Sequence, residues 1–209
     1  MDTLTSILKH KIVVIIRGID PDDFLKVAGA LLEGGLNIME ITLNSKNALS
    51  VLKEAVLQLG DQLLIGAGTV LNAVSAKEAI SAGAKFIVSP SLDIETIRAT
   101  KQLGAVSIPG AFTATEILSA YNNGADIIKV FPASIGANYL RDLHGPFPQI
   151  PMMPTGGVNL TNIREFQKAG AVAYGIGSAL IDASQKMTKD YLIQVTEKAK
   201  QFAEVVKGF

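Results

Sequence analysis

The run Ala125-Asp-Ile-Ile-Lys-Val-Phe-Pro132 is apolar apart from Asp126 near its start and one lysine, Lys129, in its middle. Strand geometry alternates faces, so Ile127, Lys129 and Phe131 share one side while Ile128 and Val130 share the other. Both sides are apolar except for the amine, the pattern of a parallel strand covered on both faces. Burial there disfavours the ammonium form and leaves a nucleophilic amine near neutral pH. The competing reading is a lysine that snorkels out of the strand end beside Pro132.

Working outward, glycines recur at 35, 60, 83, 104, 124, 145 and 170, with gaps of 25, 23, 21, 20, 21 and 25 residues. Most follow a helix-like segment and precede a short apolar run, so each is read as a left-handed helix end leading into a strand. Helix starts lie between them, including Asp20-Pro-Asp-Asp23 and the capping box Thr113-Ala-Thr-Glu116. Apolar runs place strands at 12–17, 37–42, 63–67, 85–89, 105–108, 126–131, 151–154 and 172–176. Eight alternating β and α units predict an α/β fold of one domain, 1–209: a single (β/α)8 TIM barrel with a short N-terminal helix over residues 1–10 plugging its base. An open doubly wound sheet is the rival, but no G-x-G-x-x-G follows the first strand.

The 209 residues are 48% hydrophobic, enough for a large core. Formal net charge is zero with 18% charged residues and no basic block, which argues against nucleic-acid or anionic-membrane partners and for a small-molecule substrate. Without cysteine there is no disulfide, thiolate metal site or thiol nucleophile. The N-terminus lacks the pattern of a signal peptide and no run reaches transmembrane length, so the expected location is cytoplasmic.

In a barrel the chemistry gathers at the carboxyl ends of the strands. There the inward set is Arg17 after Ile15 on strand one, Glu40 after Ile38 on strand two, and Lys129 on strand six, with Gly66-Ala-Gly-Thr69 ending strand three. Strands two and six are both even, so Glu40 and Lys129 are predicted to face each other in one layer, unless Glu40 is instead tied to Arg17 as a structural ion pair. Pro154-Thr-Gly-Gly157 and Gly175-Ile-Gly-Ser178, the latter opening a short Ser-Ala-Leu-Ile helix, offer backbone donors for a phosphate, which Arg17 would also reach; ordinary turns are the alternative. Phe131, Pro90 and Ile108 would form an apolar lining. His10 and His144 are not at strand ends, which disfavours a metal site.

Taken in order, Glu40-Ile-Thr-Leu, Gly66-Ala-Gly-Thr-Val70, Ser89-Pro90, Ile108-Pro-Gly110, Lys129-Val-Phe-Pro132 and Pro154-Thr-Gly-Gly157 resemble the 2-keto-3-deoxy-6-phosphogluconate aldolase family over nearly the whole chain. The resemblance implies a homotrimeric class I aldolase that uses no metal or other cofactor and splits a phosphorylated keto acid into pyruvate and glyceraldehyde 3-phosphate. It assigns the Schiff base to Lys129, acid/base work to Glu40, the pyruvate carboxylate to Thr69, and phosphate to Gly156, Gly157 and Ser178, with Gly177 in the same turn. Many members carry arginine two residues beyond the E-x-T threonine, where this chain has Asn44, a neutral donor that holds a carboxylate less tightly. Leu43-Asn-Ser45 is similar to the phosphogalactonate aldolases, whereas Thr155 in P-T-G-G is similar to the phosphogluconate branch. A phosphosugar isomerase or epimerase on the same barrel, or a non-catalytic sensor of a phosphorylated keto acid, are the other readings.

Overall fold

In the computed structural model, which describes residues 1–207, the strands are β1 (Ile12–Ile16), β2 (Ile38–Thr42), β3 (Leu64–Gly68), β4 (Phe86–Val88), β5 (Val106–Ile108), β6 (Gly110–Ala111), β7 (Ile128–Val130), β8 (Met152–Pro154) and β9 (Tyr174–Ile176). All pair in parallel, in two sheets of order β5-β4-β3-β2-β1-β9 and β6-β7-β8. The bridge Thr155↔Gly175 joins β8 to β9, and Pro109 alone separates β5 from β6, so the two sheets close into one barrel of eight staves. Proline brings no N–H to the ladder, which accounts for the split stave. The last two residues of the predicted 1–209 domain lie outside the described residues.

Each stave is followed by a helix: α2 (Phe24–Glu33), α3 (Ala48–Leu59), α4 (Ala73–Ser81), α5 (Ile94–Gln102), α6 (Ala114–Asn122), α7 (Ala137–His144), α8 (Ile163–Lys168) and α9 (Lys189–Val206). The capping box at Thr113 and Glu116 forms as expected. Asp20 caps a short 3-10 turn, Pro21–Asp23, that runs into α2. Five of the seven spacer glycines are left-handed; Gly60 and Gly145 are not, because each continues a helical turn by donating to Val56 and Arg141 respectively.

Strand alternation sorts the core into two shells. Outward residues such as Met39, Ile41, Ile128, Val130 and Met152 pack against the helices, while Val13, Ile38, Phe86, Val88, Ile108, Ile127 and Met153 fill the barrel. The N-terminal helix α1 (Thr3–His10), capped by Asp2, seals the base by burying Ile7 completely in the inner shell, with Leu4 and Leu8 partly buried beside it. Filling the lower barrel this way leaves only the carboxyl ends of the strands open for a site.

Candidate active site

Pairing register and alternation put Glu40, Val88, Lys129 and Gly175 in one inward layer, on β2, β4, β7 and β9. Glu40 and Lys129 thus stand on opposite staves. Val88 fills a third side, and on the fourth the missing side chain of Gly175 makes room for Thr155, whose Oγ1 lies 2.3 Å from where a Cβ would stand. Glu40 is 1% exposed and Lys129 3%, and among the described residues no other acidic or basic side chain is buried. Lys129 therefore does not snorkel out beside Pro132.

Neither oxygen of Glu40 has a hydrogen-bond partner, and Glu40 enters no ion pair. Arg17 instead donates from Nη2 to Thr69 Oγ1 at 3.3 Å. The structural ion pair between Glu40 and Arg17 is thus not formed. A buried carboxylate with nothing bonded to it costs several kcal/mol, roughly, which a merely structural residue has no reason to carry. Burial pushes the Glu40 carboxyl up, against the pull of the Lys129 and Arg17 charges. Burial pushes the Lys129 amine down, Glu40 opposes this and Arg17 adds to it. An acid raised and an amine lowered across one layer is the arrangement that proton transfer and nucleophilic attack both require. The amine also lies 5.2 Å from the centroid of the Phe131 ring, whose face favours a cation formed there.

Beside Gly175 opens a cavity of about 710 Å³, reached by Ile15, Arg17, Lys129, Phe131 and Thr155 and, farther out, by Gly156, Gly157, Gly177 and Ser178. Gly156 and Gly157 are both left-handed, with φ of 84°. The N–H groups of Gly157, Gly177 and Ser178 donate to no acceptor among the described residues, so this end of the cavity presents free backbone donors. The predicted Ser-Ala-Leu-Ile helix is absent. Leu180 and Ile181 both donate to the Gly177 carbonyl, at 2.9 and 3.1 Å, and make a single turn, so the donors here belong to a loop and not to a helix terminus.

Thr69 is β-branched yet left-handed, with φ of 55°, a strain of about 1–2 kcal/mol that turns its hydroxyl toward Arg17. Thr69, Pro90 and Glu40 do not line the main cavity. Asn44 is exposed on the loop after β2 and is not brought to the cavity. The sequence reading missed Asn159 and Asp182, which line the outer cavity; both are polar turn residues, and nothing in their local pattern separates them from other loop residues. Among the described residues no group of three or more histidine, aspartate and glutamate side chains is gathered as metal ligands, and no helix is long and apolar enough to cross a membrane.

The family model for KDPG and KHG aldolases, "Aldolase: KDPG and KHG aldolase", matches residues 4–197. The chain is 35% identical over 203 residues to the 2-dehydro-3-deoxy-6-phosphogalactonate aldolase of Escherichia coli (strain K12), covering 96% of this chain and 95% of that one. It is 36% identical over 177 residues to the 2-dehydro-3-deoxy-phosphogluconate aldolase of Pseudoalteromonas atlantica, covering 84% and 81%. A crystal structure of the KDPG aldolase from Legionella pneumophila, with pyruvate captured at low pH as a covalent carbinolamine intermediate, superposes with a TM-score of 0.87 at 28% identity, over 95% of this chain and 97% of that one. A closed α/β barrel whose buried amine faces a buried acid agrees with those similarities, and the chain belongs to the KDPG and KHG aldolase family of carbon–carbon lyases.

Proposed function

We propose that the protein cleaves 2-keto-3-deoxy-6-phosphogluconate to pyruvate and D-glyceraldehyde 3-phosphate through a Schiff base on Lys129. The observation that carries this reading is the buried Lys129, which lines an open cavity and is set in one layer with a buried, unbonded Glu40. The neutral amine attacks the substrate ketone, and loss of water from the carbinolamine gives an iminium. The bond between carbons three and four then breaks, its electron pair passing to the iminium as an enamine while the hydroxyl at carbon four loses its proton and becomes the aldehyde. Glu40 delivers the proton that dehydration needs and, through a water, takes the hydroxyl proton. Protonation of the enamine and hydrolysis release pyruvate and restore the amine. Thr69, to whose hydroxyl Arg17 donates, holds the pyruvate carboxylate, while Phe131 and Pro90 keep water from the enamine. No metal or organic cofactor is called for. This chemistry, together with the family, favours a lyase over the isomerase and sensor readings. We further infer a homotrimer acting in the cytoplasm on a small-molecule substrate. The exposed apolar residues Leu71 and Val74 after β3, 60% and 65% accessible, fit burial between copies of the chain.

Phosphate is assigned to the turns of Gly156, Gly157, Gly177 and Ser178, with Arg17, which lines the same cavity, adding its charge. Two hydrogen bonds to a charged group contribute about 3–6 kcal/mol together, so removing the phosphate from the substrate should lower kcat/KM by at least roughly 10²-fold. Steady-state assays on the phosphorylated and unphosphorylated keto acids measure this, and equal efficiencies would reduce the glycine turns to connections.

The gluconate epimer is preferred on this reading because Thr155 lines the cavity, is 2% exposed, and has only a long 3.5 Å bond to the Met153 carbonyl for its hydroxyl. That hydroxyl is available to the substrate hydroxyl at carbon four, where gluconate and galactonate differ, and a buried group left unpaired by the wrong epimer discriminates against it. Thr155→Val should narrow or reverse the ratio of efficiencies on the two epimers. The opposite preference has its own support in Leu43-Asn-Ser45 and in the similarity to the E. coli phosphogalactonate enzyme. A wild-type preference for galactonate would decide for it, and a ratio indifferent to Thr155 would show that the selectivity lies in another residue.

A further inference from the structure

Strand β3 turns two glycines inward, Gly66 and Gly68, with Ala67 between them facing the helices. Neither has a positive φ, so each is compatible with a side chain as far as the backbone is concerned, and the reason for glycine must be space. At Gly66 a Cβ would fall 2.5 Å from Phe86 ring carbons, deep in the packed barrel, and the fold itself needs the vacancy. At Gly68 the three nearest atoms to a Cβ all belong to Glu40: Oε1 at 2.4 Å, Cδ at 2.7 Å and Cγ at 3.2 Å. The carboxylate occupies the volume that a side chain on residue 68 would fill.

Glu40 has no hydrogen bond to fix it. Apart from the Lys129 and Arg17 charges, only the shape of its surroundings decides where its oxygens lie. We propose that Gly68 is the positioning residue of Glu40: its missing Cβ is the seat that holds the carboxylate in the Lys129 layer. This inference rests on the acid/base role proposed for Glu40. It separates the two inward glycines of one strand into a structural and a functional one. The obstruction at residue 68 meets the end of a side chain rather than backbone or an aromatic ring, so a methyl group there is expected to move the acid and leave the barrel standing.

The test is a cycle of Gly68→Ala and Glu40→Gln, alone and combined, with Glu40→Asp and Gly68→Ala/Glu40→Asp as the rescue pair. For each protein, thermal melting and cleavage kinetics are measured together. Gly68→Ala should melt within a few degrees of wild type, with kcat lower by about 10- to 100-fold, the loss expected for a catalytic group moved by roughly 1 Å, and KM within about twofold. In the Glu40→Gln background the same change should alter kcat by less than about twofold, since there is no acid left to misplace. In the Glu40→Asp background, where the shorter side chain leaves room for the methyl group, its effect should also shrink. An equal loss in all three backgrounds would overturn the inference, and so would a Gly68→Ala protein that does not fold, because the space would then belong to the barrel. If Glu40→Gln loses its rate while Gly68→Ala keeps the wild-type rate, the positioning role alone is wrong. If Glu40→Gln retains full activity, the acid/base reading beneath it is wrong.

Discussion

Lys129→Met is expected to lower turnover by a factor on the order of 10⁴ or more, the scale set by removing a covalent nucleophile, and at the same time to raise the melting temperature at pH 7. The two effects share one cause. The amine is 3% exposed, and burial first, with the Arg17 charge adding to it, holds it below its ordinary value of 10.5. Between that lowered value and 10.5 the unfolded chain binds a proton that the folded chain does not, so stability rises with pH across this window and the lysine is a net burden below it. Methionine has nearly the same volume and no charge to desolvate, so it removes the burden. Calorimetry between pH 6 and 10 should show wild type gaining on Lys129→Met as pH rises. Pyruvate with borohydride should add a single adduct to wild type, mapped to Lys129, and none to the variant. An adduct on another lysine would end the Schiff-base reading, and a variant that melts earlier at pH 7 would contradict the desolvation argument.

Much of this site is legible in local sequence because the barrel turns alternation into geometry. Once Ile38 and Ile127 are read as inward, Glu40 and Lys129 follow by two residues each, and the even-strand rule puts them in one layer. What escaped the reading depends on contacts distant in the chain or on ladder detail. The stave predicted at 126–131 is narrower, 128–130, because Asp126 and Ile127 both direct their N–H groups to the Ser107 carbonyl and begin the ladder irregularly. Ser178 opens no helix because four residues are too few to propagate one beyond a single turn, and the chain is then drawn aside by Asp182, whose carboxylate accepts from Ser184. Asn44 falls outside the cavity because Thr42, the last residue of β2, bonds Ile16 and Ser45, and the chain turns away there. The role given to Gly68 requires knowing which side chain, 28 positions earlier, lies against it. No local pattern carries that.

Glu40→Gln is the second substitution expected to have a large effect, a loss of about 10² to 10⁴ in turnover with pyruvate adduct formation slowed but still confined to Lys129. Two accounts of this residue make opposite predictions about stability. If Glu40 were there to pair with a cation, neutralising it would leave a buried charge uncompensated and cost about 3–5 kcal/mol, and the protein would melt early while keeping its rate. The observed Glu40 accepts no bond, and burial holds its carboxyl above the ordinary value of 4.5. From 4.5 up to that raised value the folded chain keeps a proton that the unfolded chain has lost, so stability falls as pH rises through the window and the carboxyl is a net cost above it. Glutamine preserves the shape over Gly68 and carries no charge to desolvate, so Glu40→Gln should melt no earlier than wild type at neutral pH. Its kcat/KM should also lack the inflection expected of wild type where the raised carboxyl titrates, because the group responsible is gone. Melting and kinetics on the same preparation decide the matter: a variant that is less stable but as fast as wild type returns Glu40 to a structural role, and one that is slow, stable and flat in its acid limb identifies the proton carrier.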